Sequence, residues 1–297
     1  MKHAACLSHY TTNLEDSPAL SQRVQQIRNR LEQRASCLHL PLDQTLSLLD
    51  QLLEFKLGRF LLLNRGIDGY WTSYVFYPPQ TVTHPLEMWI LKKSLLGKTP
   101  KARLDVFHQE LQKRLQPGMH LASIPCGLMD DLLRLDYRGK GGIYLTGIDI
   151  DAASLRLAAQ RAQELAPTLP IAFLQRDAWK LGIASQYDLI SSNGLNMYEA
   201  DEGRLCALYQ QLYEALKPGG TLVISSLPPP PDPLPPSIDE KDFRQELALF
   251  QDILDMQFFN FVDPGVTQKQ IESVGFYLED TIPNPLNIGP ATFIARK

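Results

Sequence analysis

The chain has 297 residues, 44% of them hydrophobic and 21% charged, an ordinary composition for a globular protein that can bury a sizeable core. A formal net charge of −4 provides no global basic field for nucleic acid or anionic lipid. No apolar run approaches the roughly 18 residues of a membrane helix, so no span is expected.

The first ten residues lack the apolar core of a secretory signal. The cysteines, Cys6, Cys37, Cys126 and Cys206, are scattered without Cys-x-x-Cys spacing, the usage of free thiols in a reducing cytoplasm. Cys37 and His39 are two possible metal ligands, but two ligands make no site, and no metal is expected.

Residues 1–116 read as a helical cap. Arg23, Arg28, Arg30 and Arg34 sit on a polar helix; a solvated face explains them better than a nucleic-acid patch. Leu42, Leu46, Leu49 and Leu53 recur at helical spacing, and Phe60 and Leu61 continue the run, which predicts one long helix over about 42–64. Gly66 to Pro79 is glycine-bounded, aromatic and β-prone. Its Tyr70, Trp71 and Tyr74 are candidates to line a substrate pocket, or ordinary core. His84 is the candidate general base, or a capping residue before Pro85. Further helices are expected over 85–96 and 102–115.

From 117 to 297 strand and helix alternate, the pattern of a parallel sheet covered by helices. Strand-like Leu121–Ser123 runs into a tight turn, Ile124 to Met129, and a short helix from Met129 to about Leu135. A glycine turn at 139–142 precedes a second strand, Tyr144–Asp149, ending in an acid. Asp149 could bind a ligand or cap the helix of 155–165; Asp151 is the better cap. A third strand, Ala172 onward, ends at Asp177, and a fourth leads into Ser192-Asn193-Gly194. Lys217-Pro218-Gly219-Gly220 turns a helix into the fifth strand. An insertion at 228–262 opens on a proline run that favours extended backbone and continues as a helix over 242–259. Thr267 to Gln270 has the capping-box pattern, and strands from Gly275 and Ala291 close the chain. No internal repeat is seen.

The order and spacing of the segments in 118–226 resemble the class I S-adenosylmethionine-dependent methyltransferases. The resemblance implies an α/β, Rossmann-like fold: a mixed seven-stranded sheet, the last strand antiparallel, with helices on both faces and the helical cap before it. It implies S-adenosylmethionine as cofactor and S-adenosylhomocysteine as product. Ser123, Pro125, Cys126 and Gly127 stand at the glycine-rich turn of the family, of which only the middle glycine is kept. The loss is intelligible because this cofactor, unlike a dinucleotide, has no phosphate to bring against backbone N–H groups. Asp130 or Asp131 would stand in for the absent strand-end acid and hold the methionine ammonium. Asp149 would grip the ribose hydroxyls and Ile150 pack on adenine. Asp177 and Ala178 would take the adenine edge, and Asn193 and Gly194 would line the methionine end.

Tyr198 joins the candidate substrate residues. The stretch 192–198 lacks the Asn/Asp-Pro-Pro-Tyr of methyltransferases that act on exocyclic base amines or glutamine. The expected reaction is therefore methyl transfer to oxygen or nitrogen of a small molecule. The alternatives are a non-catalytic protein that binds the cofactor or its product, and a methyltransferase acting on RNA or protein.

Overall fold

The computed structural model describes residues 18–64, 66–256 and 260–297. Cys6 and the first ten residues, and the end of the helix expected over 242–259, lie outside them. The chain divides into two compact units: residues up to Lys98 together with the segment from Leu234 to Gln257, and Thr99–Pro233 together with the C-terminal stretch from Phe258.

The first unit is helical: α1 (Pro18–Gln33), α2 (Leu42–Leu52), α3 (Lys56–Asn64), α4 (Gly69–Phe76) and α5 (Pro85–Lys92). The long helix expected over 42–64 is two helices. They approach so closely that a Cβ on Gly58 would lie 2.1 Å from the Leu52 carbonyl oxygen. Arg59 Nη1 donates to the Leu53 carbonyl at 2.8 Å where the chain breaks. The β-prone 66–79 stretch contains α4, capped by Asp68, whose carboxylate accepts the Trp71 N–H at 2.8 Å. Burial of Trp71 and Val75 in a helical core overrides their strand propensity. The helix after the proline run is α10 (Glu240–Leu247), capped by Asp239 and extended by a π turn, Ala248–Ile253. Ala248, Leu249 and Ile253 share one core with Ile27, Leu49, Leu61 and Ile90.

In the second unit, α6 (Leu95–Arg114, its first turn belonging to the first unit) runs without a break through Pro100. The strands are β1 (His120–Ser123), β2 (Tyr144–Asp149), β3 (Ile171–Gln175), β4 (Tyr187–Ser192), β5 (Leu216–Ser226), β6 (Tyr277–Ile282) and β7 (Ala291–Arg296). They form one sheet in the order β3-β2-β1-β4-β5-β7-β6, with β7 antiparallel to both neighbours. Between them run α7 (Asp130–Leu133), α8 (Ala152–Leu165), α9 (Glu202–Ala215) and α11 (Pro264–Ser273). Strand alternation sorts side chains to two faces. Leu121, Leu145, Leu189 and Val223 pack with Phe107, Leu132, Leu155 and Ala158, from α6, α7 and α8. Ala122, Ile148, Ile190 and Leu222 pack with Leu208, Leu212 and Ile271, from α9 and α11.

Two turn readings change. Pro218-Gly219-Gly220 forms a bulge inside β5: Tyr187 faces Leu216 but Leu189 faces Thr221. The helix assigned to the 267–270 capping box starts earlier, at Pro264, where Asp263 accepts the Gly265 N–H, and Thr267 is buried within it.

Candidate functional site

Strand order reverses at β1, which has β2 on one side and β4 on the other, so the crevice lies beyond the carboxyl ends of these strands. The β1–α7 turn is tied to both neighbours: Ile124 N–H donates to the Ser191 carbonyl and Cys126 N–H to that of Ile148, each at 2.8 Å. Pro125 follows a cis peptide bond, and Gly127 (φ 49°) and Met129 (φ 62°) both adopt left-handed backbone. Met129 fills the place of a family glycine with its side chain wholly in the core.

Asp149 holds this turn from the end of β2. Its Oδ2 accepts the Gly127 N–H at 2.9 Å and its Oδ1 the Asp151 N–H at 3.0 Å. Burial pushes its carboxyl above the usual range. Asp151, not Asp149, caps α8 through Ala153 N–H and Ser154 N–H. Gly147 is required behind it: a Cβ there would meet Phe173 at 2.9 Å and Cys126 Sγ at 3.1 Å. The Cys126 thiol is buried and held neutral, its pKa raised by burial and then by Asp149. Ile150 is 44% exposed beside that acid. Asp177 caps the short turn Ala178–Lys180 by accepting the Trp179 N–H at 2.9 Å, and Ala178 is buried.

Of the two acids opening α7, the structure separates the roles. Asp130 is drawn into ion pairs with Arg134 at 3.0 Å and Arg161 at 3.3 Å. Its carboxylate, expected to hold the methionine ammonium, is thus partnered by two guanidinium groups. Asp131 instead accepts from Ser123 Oγ at 2.8 Å, at the end of β1. Burial raises its carboxyl, while the hydrogen bond from Ser123 opposes the rise. After β4, Gly194 (φ 98°) turns the chain tightly; a Cβ on it would lie 2.8 Å from Met197 Cε and 3.3 Å from Arg103 Nη1. Asn193 Oδ1 is buried with no hydrogen-bond partner among the described residues.

Residues 123–220 match the methyltransferase domain family. A possible exported protein from Bordetella parapertussis is 35% identical, with a TM-score of 0.87 over 94% of this chain and 95% of that one. Magnesium protoporphyrin IX methyltransferase from Synechocystis PCC 6803, with bound S-adenosylhomocysteine, shares the fold at 16% identity. Its TM-score is 0.54 over 77% of this chain and 94% of that one. A cyclopropane synthase from Mycobacterium tuberculosis does so at 14% identity and TM-score 0.51, over 69% and 87%. No curated protein matches the chain in sequence.

The chain belongs to the class I S-adenosylmethionine-dependent methyltransferases. It carries the methyltransferase domain, and S-adenosylmethionine is the group that its family implies. The residues at the strand ends of this methyltransferase fit that group. Asp149 keeps acceptor capacity beyond its two backbone donors, Ile150 offers an exposed apolar face, and Asn193 Oδ1 is a buried acceptor without a donor. Among the described residues no group of three His, Cys, Asp or Glu is placed to hold a metal ion, and no helix is long and apolar enough to cross a membrane.

The remaining candidates of the methyltransferase are placed as follows. Tyr198 is in the second unit, beside Arg103, its hydroxyl pKa raised by burial. In the first unit, Tyr70, Trp71 and Tyr74 form an aromatic cluster on α4, with Trp71 edge-on to both tyrosines at 5.0 Å. Tyr74 donates to Glu87 at 2.8 Å. His84, also in the first unit, precedes α5 without a side-chain cap. Its ring stacks on Phe55 at 4.8 Å, and its Nε2 is 3.1 Å from Glu54. Arg103, Gly147 and Ser191 escaped sequence reasoning. Arg103 is one arginine on a helix, Gly147 one glycine in a strand, and only the folded contacts single them out.

Proposed function

We propose that this methyltransferase moves the methyl group to oxygen or nitrogen of a small-molecule acceptor. The observation that carries the reading is the turn after β4. Gly194 packs its backbone against Arg103 and Met197, Asn196 and Met197 are buried behind it, and Asn193 presents an unpaired acceptor. A tight, buried, polar bend suits a small acceptor. It lacks the Asn/Asp-Pro-Pro-Tyr segment that grips a planar base amine, and the net charge of −4 offers no phosphate track.

When bound, S-adenosylmethionine supplies a methyl on an activated sulfonium, so the protein's part is orientation and exclusion of water. We assign Asp149 to the ribose hydroxyls, Ile150 to the adenine face, Asp177 and Ala178 to the adenine edge, and Asp131 to the methionine ammonium. The Gly127 and Asp151 N–H groups fix the rotamer of Asp149, so its free lone pairs point without further ordering. Ser123 does the same for Asp131. The described cysteines are free thiols, which supports a reducing cytoplasm.

Calorimetric titration with S-adenosylmethionine, S-adenosylhomocysteine and NAD tests the cofactor assignment. Micromolar binding of the first two and none of NAD is expected. An acceptor screen read by S-adenosylhomocysteine release then tests the substrate class; turnover on RNA or protein and on no small molecule would overturn it.

A further inference from the structure

Arg103 sits in α6 within the second unit and is only 5% exposed. Among the described residues it has no ion pair. Its one hydrogen bond runs from Nη1 to the Met197 sulfur at 3.7 Å, a weak acceptor, and its buried Nε has no partner. Contrast Arg134 and Arg161, which share Asp130. Loss of water lowers the pKa of the guanidinium to about 10, still charged at neutral pH.

A desolvated cation whose neighbours are a thioether and the Tyr198 hydroxyl, with no carboxylate among the described residues, is costly, and a fold that keeps one generally supplies an anion from elsewhere. The position says where that anion would come from. Nη1 lies 3.3 Å, and Nη2 3.6 Å, from where a Cβ on Gly194 would stand. The guanidinium is therefore packed against the turn at the end of β4, where a side chain in place of Gly194 would crowd it. A planar fork with unspent N–H donors is matched by a carboxylate, which takes two parallel hydrogen bonds.

We propose that Arg103 is the receptor for a carboxylate of the ligands held at the strand ends. The proposal rests on the reading of that crevice as the cofactor and acceptor site. Two ligands can bring a carboxylate: the methionine part of the cofactor, or an acceptor that is itself a carboxylic acid.

The test compares wild type, Arg103→Met and Arg103→Lys by calorimetry. The probes are S-adenosylhomocysteine, 5′-methylthioadenosine (the same nucleoside thioether without the amino acid) and benzoate added to protein saturated with S-adenosylhomocysteine. If the cofactor brings the carboxylate, Arg103→Met weakens S-adenosylhomocysteine by about tenfold or more and leaves 5′-methylthioadenosine within about twofold. If the acceptor brings it, both nucleosides keep their affinity while benzoate binding, present in wild type, is lost. Arg103→Lys falls between in either arm, because it keeps the charge without the fork; it carries the comparison alone if the methionine variant does not fold. The proposal is overturned if all three probes bind the variants as they bind wild type, or if both nucleosides weaken equally. Failure of wild type to bind 5′-methylthioadenosine at all would instead sink the cofactor reading beneath it.

Discussion

Asp149 shows how one side chain serves the fold and the ligand at once. Two backbone N–H groups hold its oxygens, so it staples the β1–α7 turn to the end of β2 before any ligand arrives. Asp149→Ala removes both the staple and the ribose acceptor. We expect it to weaken S-adenosylhomocysteine by about a hundredfold, on the order of two charge-assisted hydrogen bonds; calorimetric affinity within threefold of wild type would refute the role. Asp131→Asn probes the neighbouring acid. Asn preserves the bond to Ser123 but not the charge, so affinity for S-adenosylhomocysteine should fall by about tenfold while 5′-methylthioadenosine is unaffected. Gly147→Ala acts through packing alone. Its Cβ would press on Phe173 at 2.9 Å, and a loss of about 1–3 kcal/mol in denaturant unfolding is expected.

At the scale of elements, what could be read from the sequence follows how local the governing physics is. Strands β1, β2, β4 and β5 and the acids that end β2 and β3 were legible because strand, turn and helix signals recur there in a fixed order. The break between α2 and α3 was not legible. It depends on Gly58 lying against the Leu52 carbonyl, a contact between two helices that leaves the leucine periodicity untouched. Helix α4 was hidden by its own aromatic residues, whose strand propensity outweighed the single cue of Asp68. That cue is testable. Asp68→Ala should cost about 1 kcal/mol and loosen hydrogen exchange over 69–76, whereas an unchanged exchange rate would show that aromatic packing alone holds the helix. In the site, the choice between Asp130 and Asp131 turned on Arg134 and Arg161, and Arg161 is remote in sequence. Spacing could propose the pair of acids, and tertiary charge is what favours Asp131 in our assignment.

For the molecule as a whole, the feature with the widest reach is a set of acids whose proton affinity the fold raises. Asp131, Asp149 and Glu246 are all raised, chiefly by burial. Glu246, in the first unit, is pushed from 4.5 up to about 7 while it accepts the Leu95 and Leu96 N–H groups opening α6. Through Glu246 the folded state therefore binds more protons than the unfolded chain between pH 4.5 and about 7. Stability contributed by Glu246 is present below that window and is lost as pH rises through it, by at most about 3 kcal/mol. His120, lowered by burial, works the other way within this window and favours higher pH, whereas Glu110 and Asp136, lowered by their basic partners, act only below it. The wild-type profile mixes these signs, so the discriminating quantity is the difference between wild type and Glu246→Gln. The glutamine cannot titrate, whatever its constant offset from losing one amide acceptor. Unfolding free energy measured from pH 5 to pH 8 should fall more steeply for wild type than for the variant, with the gap opening between pH 5 and 7. Parallel curves would mean that Glu246 is ionised in the folded protein throughout, and that the α6 amides stabilise its charge more than burial disfavours it.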